Sequence, residues 1–184
     1  MPASIRPFAL ALALCGTLIA GVVACGSGGA TREVAAYITV PSPSPSTPAQ
    51  WQRLAKARFA VNAGLAAGAV HQWIVKPWKA GAFSKKAKGR NAALVKAALA
   101  GSFAYHRLLA ARRNAQGDPA LSRAIAPLAP SIDSLKSLPG RLRKGDESAV
   151  GSFDAVIRKV KAAGKSAGVP VRPLVPSSPQ LARG

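Results

Sequence analysis

Residues 90–114 read RNAALVKAALAGSFAYHRLLAARRN. Val95, Leu99, Ser102, Phe103, His106, Leu109 and Ala110 recur there at spacings of three and four. That period belongs to one face of an α-helix, and the stretch is long enough to decide the fold. No proline interrupts it, and Gln116-Gly117-Asp118 closes it.

Working backwards, Pro48 to Val75 predicts a second long helix. Thr47 supplies the N-cap and Pro48 the first helical position, where a missing amide hydrogen costs nothing. Trp51, Leu54, Val61, Leu65 and Trp73 fall near helical spacing. Ala57, Ala60, Gly64, Ala67 and Gly68 add small residues for close approach. Gly64 and Gly68 each cost about 1 kcal/mol of helix propensity against Ala, which implies a close partner. The apolar run Phe59–Val75 also fits a membrane helix, but Asn62, His71 and Gln72 favour a buried helix outside a membrane. Lys76-Pro77 is expected to stop this helix.

Working forwards, Asp118-Pro119 repeats the N-cap and proline signal. Leu121, Ile125, Leu128, Ile132 and Leu135 follow at spacings of four and three. Pro127 and Pro130 predict a kink or two short helices. A last helix is expected from about Asp146 to Ala167, with Val150, Phe153, Ile157 and Val160 inside and Arg158, Lys159, Lys161 and Lys165 in water. The fold class is all-α: a small antiparallel bundle of about four helices with a Pro-kinked third.

Residues 169–184, rich in Pro and Ser, are expected to form a disordered or extended tail beyond a helical domain at 49–167. Before that domain, Gly26–Gly29 and the Pro/Ser alternation at 41–48 read as a tether. In a polyproline II conformation those eight residues reach roughly 25 Å. Arg32–Val40 between them reads as a short strand or irregular chain.

Lys and Arg number 26 against 6 Asp and Glu, a formal charge of +20. Charge this lopsided speaks to association with anionic material or to a solvated basic surface, and not to fold. No acidic residue lies between Glu33 and Asp118. The connection Trp73–Arg90 is densest: Lys76, Lys79, Lys85, Lys86, Lys88 and Arg90 interleave with Trp73, Trp78 and Phe83. Cations attract anions without sequence information, and aromatics stack on bases or settle at membrane interfaces. Lys76, Lys79, Lys85, Lys86, Lys88, Arg90, Trp73 and Trp78 are therefore the anion-binding candidates. The competing expectation is a core-packing Trp pair beside a solvated loop. No helix-turn-helix or RNA-binding signature accompanies them, so nucleic acid is the lesser option.

His71 and His106 are the two histidines, each near the expected inner stripe of the first two helices. Two imidazoles with no nearby carboxylate fall short of the three or four protein ligands zinc takes, so they read as core histidines before they read as metal ligands or hydrolytic groups. Ser102 lies one turn from His106 without a nucleophile-elbow context. The cysteines, Cys15 and Cys25, leave the helical domain without disulfide, thiolate metal site or cysteine nucleophile. No cofactor and no catalytic constellation are expected.

At the N-terminus, one positive side chain, Arg6, precedes the charge-free run Phe8–Ala24, which is 17 residues long. It is short for a span of about 20 residues and suits the apolar core of a signal peptide. It ends in Val22-Val23-Ala24-Cys25, followed by Gly26-Ser27-Gly28-Gly29. Here the chain resembles the bacterial lipoproteins, whose lipobox places aliphatic, small or aliphatic, and small residues before cysteine. The resemblance implies a signal peptide at 1–24, cleavage before Cys25 and diacylglyceryl on its sulfur. Residues 25–48 would then be a lipidated tether, with the protein on the extracytoplasmic face of a membrane. Two acyl chains anchor stably where one binds marginally. The functional expectation is a tethered, non-enzymatic module engaging anionic lipid or cell-wall polymer. The alternatives are a metal-binding or hydrolytic protein using His71 and His106, and a structural partner in a membrane complex.

Overall fold

The computed structural model describes residues 47–183. Cys15, Cys25, the expected signal peptide, the Arg32–Val40 segment and most of the expected tether lie outside the described residues. Ser44–Gly184 forms one compact unit whose hydrophobic core closes within itself.

Helix α1 spans Pro48–Val70 and starts as the sequence implies. The Thr47 hydroxyl accepts from the Gln50 amide at 3.3 Å, and Gln50 Oε1 accepts from the Thr47 amide at 3.2 Å. This reciprocal capping box satisfies two otherwise orphaned donors. The helix does not stop at Pro77. It widens into a π-helical turn, His71–Val75, and runs on as α2, Lys76–Lys79. The wider turn makes room ahead of the proline ring, whose clash and missing donor would otherwise break an α-helix.

Helix α3 spans Arg90–Ala115. It runs antiparallel to α1: Arg107 donates to Asn62 at 3.4 Å, and the Lys96 ammonium lies 5.5 Å from the Trp73 ring centroid. Its buried stripe differs from the sequence expectation. Leu94, Ala97, Gly101, Ala104, Leu108 and Ala111 face inward, joined by Ala100 and Phe103. Val95 and Leu99 are 43% and 44% exposed, and His106 is exposed. Apolar and polar residues are spread around this helix without a single dominant apolar face, so packing chooses the face, and it chooses small residues that let α1 approach. Helix α1 answers with Ala55, Ala63, Ala66, Ala67 and Ala69, while Trp51 faces solvent. Backbones packed through alanines sit near the lower end of the usual interaxial range of about 8–10 Å.

The third segment is broken, as its prolines predict. Helix α4, Pro119–Ile125, is followed by a 3₁₀ turn at Ala126–Leu128, then α5, Ala129–Asp133, a second 3₁₀ turn at Ser134–Ser137, and α6, Leu138–Arg143. Leu121, Ile125, Ile132, Leu135, Leu138 and Leu142 keep one buried line through every break. Helix α7, Ser148–Ser166, buries Val150, Phe153, Ile157 and Val160. The four rods alternate in direction, and Phe59, Phe103 and Phe153 fill the space between them.

Of the two forms expected for the C-terminal segment, disordered or extended, the chain takes the extended one, and it packs on the helical domain instead of trailing from it. After Gly168 the chain runs extended along α1 to a short helix, α8, Ser178–Ala182. Val169, Val171 and Leu181 are buried. The Leu174 amide donates to the Gly64 carbonyl at 2.9 Å. A Cβ at Gly64 would sit 2.5 Å from the Arg172 carbonyl oxygen, and one at Gly68 would overlap the Leu174 backbone. The two glycines form a notch for this strap, which is the close partner their helix cost implied. Prolines exclude the strap from helix or sheet, yet an extended chain lying in a groove suits them.

Among the described residues no helix is long and apolar enough to cross a membrane.

Candidate functional site

The candidate site lies at the end of the bundle where α2 and the 80–89 loop meet the turn after α6. Three contacts brace this loop. Phe83 plugs into the core at 1% exposure. The Arg90 guanidinium turns inward, with Nε donating to the Phe83 carbonyl at 2.8 Å. Trp78 donates from its indole nitrogen to Glu147 Oε2 at 2.8 Å, tying α2 to the start of α7. Gly145 completes the frame: its φ is +83°, and a Cβ there would overlap the Arg90 guanidinium. Glycine alone meets both demands cheaply.

On this frame Lys76, Lys79, Lys85, Lys86 and Lys88 all face solvent. None forms an ion pair among the described residues. The ion pairs lie elsewhere: Lys56–Asp118 at 3.3 Å, Arg112–Asp133 at 2.9 Å, Arg141–Asp146 at 2.7 Å and Arg158–Asp154 at 2.8 Å. Glu147 accepts from Trp78 beside the rim, and no described carboxylate forms an ion pair with any of the five lysines.

The eight candidates named from the sequence therefore separate. The five lysines share one exposed rim. Arg90 is a brace, half-buried with its Nε donating to the Phe83 carbonyl. Trp73 is half-buried against the core under Lys96, its indole N–H buried without a hydrogen-bond partner. Trp78 keeps 40% of its surface exposed beside the lysines while its nitrogen is held. Arg143 and Lys144, exposed on the adjoining turn, add charge that the sequence did not single out. Asp146 and Glu147 follow them so closely that the stretch reads as locally mixed in charge, which hides the contribution.

His71 and His106 do not meet. The pairings Asn62–Arg107 and Trp73–Lys96 fix the helix register, which places His71 level with residue 98. The eight residues from there to His106 correspond to about 12 Å along the axis. Both imidazoles are exposed, correcting their expected place on the inner stripe, and His106 touches the Tyr105 ring at 5.4 Å. Among the described residues no cluster of three or more His, Cys, Asp or Glu is placed to hold a metal ion.

At the opposite end of the bundle, Asp118 is 3% exposed and caps α4 through the Leu121 amide at 2.9 Å. Burial pushes its carboxyl upward, but the Leu121 amide and the Lys56 ammonium outweigh this and hold it below the usual value. The Ser148 hydroxyl and Arg141 hold Asp146 low as well. These shifts belong to caps and ion pairs of the scaffold.

In comparison with known proteins, no family model matches the chain, and neither does any curated protein or solved structure.

Proposed function

We propose that this protein is a lipid-tethered, non-enzymatic binding module whose lysine rim engages anionic material of the cell envelope. One observation carries the reading: five exposed lysines, two on α2 and three on the 80–89 loop, stand on a segment that Phe83, Arg90 and Trp78 hold in shape, and no described carboxylate forms an ion pair with any of them. A solvated loop needs no such bracing. A preformed cation array loses less conformational entropy when an anion arrives. Diacylglyceryl on Cys25 would confine the array to the envelope, where headgroup phosphates and wall polymers are the nearest polyanions.

The rim lies at the far end of α1 and α2 from Thr47, where the tether joins. At 1.5 Å per residue that separation is about 45 Å. The arrangement favours anionic polymer standing off the anchor over headgroups directly beneath it.

The test is binding of the Ser44–Gly184 unit to a phosphodiester wall polymer and to phosphatidylglycerol vesicles across a salt series. Binding to at least one of them is expected, weakening steeply with salt, and none to neutral vesicles. Indifference to both polyanions at low salt would remove the proposal.

A further inference from the structure

Val95 and Leu99, one turn apart on α3, face solvent although both are large and aliphatic. They form one wall of a groove between α3 and α6. Pro139 and Gly140 line its other side, and Ala98, Ser102 and Arg143 complete the lining. Its volume is about 470 Å³, within the range of small-molecule sites, about 300–1,000 Å³. The Arg143 guanidinium is exposed and forms no ion pair among the described residues.

We propose that this groove binds a single-chain anionic amphiphile, its alkyl chain along Val95 and Leu99 and its acid group on Arg143. The occupant must supply apolar surface and a negative charge together. A second copy of the chain supplies the first but brings a formal charge of +20 against an equal charge. A helix from another protein would lay only one face in this open groove, and an acidic amphipathic one is the alternative that the experiment below separates. An extended alkyl chain is slimmer and fits along the ridge from Val95 to Ser102, about 10 Å of helix. The proposal uses none of the five lysines; Arg143 adjoins both places, and dependence on chain length and on Leu99 distinguishes the groove from the rim.

Calorimetry tests it with octanoate, decanoate and dodecanoate, each below its micelle concentration, titrated into the Ser44–Gly184 unit after a cooperative melt confirms that it is folded. Each methylene buried is worth about fourfold in affinity, so two should tighten binding by about tenfold or more. Leu99→Asn, at an exposed position, should flatten that dependence without altering the melt. Arg143→Gln should weaken decanoate about tenfold and leave decanol unchanged. Replacing Lys85, Lys86 and Lys88 by Gln should change nothing. Affinity independent of chain length, or untouched by Leu99→Asn, would overturn the proposal. So would concentration-dependent dimerisation lost in Leu99→Asn, which would assign the groove to a second copy. An acidic amphipathic peptide binding there more tightly than dodecanoate would assign it to a protein partner.

Discussion

Replacing Gly68 by Ala inverts an ordinary rule. In a helix interior the change normally stabilises by up to about 1 kcal/mol, because Ala surrenders less backbone freedom on folding. Here the new Cβ would overlap the Leu174 carbonyl carbon and oxygen, which are backbone atoms and have no rotamer to escape into. The strap has to lift. Lifting it breaks the Leu174–Gly64 hydrogen bond and exposes part of Val171 and Leu174. Uncovering one such side chain costs about 1.5–3 kcal/mol, and the hydrogen bond about 1 kcal/mol. Set against the propensity gain, the net loss is about 1.5–3 kcal/mol, a large part of the stability of a domain this size. Gly151→Ala is the matched control: it lies in α7, where the methyl group that alanine adds would meet nothing within 4 Å, and it should stabilise by about 0.5–1 kcal/mol. Urea unfolding of the two variants, with proteolysis of the C-terminal segment, measures both. If Gly68→Ala were as stabilising as Gly151→Ala and left the strap protected, the notch would have no structural role.

Further outcomes follow from the caps, the brace and the anchor. Asp118→Asn should cost about 1 kcal/mol at neutral pH through the lost cap charge. The folded Asp118 carboxyl is held below its unfolded value, so its contribution is present above the unfolded value and fades as pH falls through the folded one; the variant's acid melt should therefore show less loss below about pH 4. Trp78→Phe removes the bond to Glu147 and should speed amide exchange in residues 80–89, with a cost of about 1 kcal/mol or less in a urea melt. The native chain should show an intact mass starting at Cys25 with diacylglyceryl added, and Cys25→Ser should leave the precursor unprocessed.

The sequence showed the beginnings of helices better than their faces. Thr47-Pro48 and Asp118-Pro119 are local signals, and local chemistry makes the caps. The breaks around Pro127 and Pro130 are equally local. The inner face of α3 is a collective choice. Side-chain size favoured Val95 and Leu99, whereas close packing against α1 selected Ala97, Gly101 and Ala104. The strap escaped because its proline content suggested disorder, while its seat at Gly64 and Gly68 lies far back in the chain. In the candidate site the lysines could be read as a cluster. The inward turn of Arg90 could not, because it depends on a partner at Gly145 that only the folded chain brings near.

Net charge and the shaped rim make different demands, and one comparison separates them. In one variant Lys79, Lys85, Lys86 and Lys88 become Gln; in the other Arg123, Lys136, Lys159 and Lys165 do. Both lose the same charge, all eight positions are exposed, and none forms an ion pair among the described residues. At about 1 kcal/mol per cation near an anionic surface, loss of the rim should weaken polyanion binding by about a thousandfold, and loss of the scattered four by far less. Equal weakening by the two sets would reduce the rim to one part of a uniformly basic surface and contradict the account.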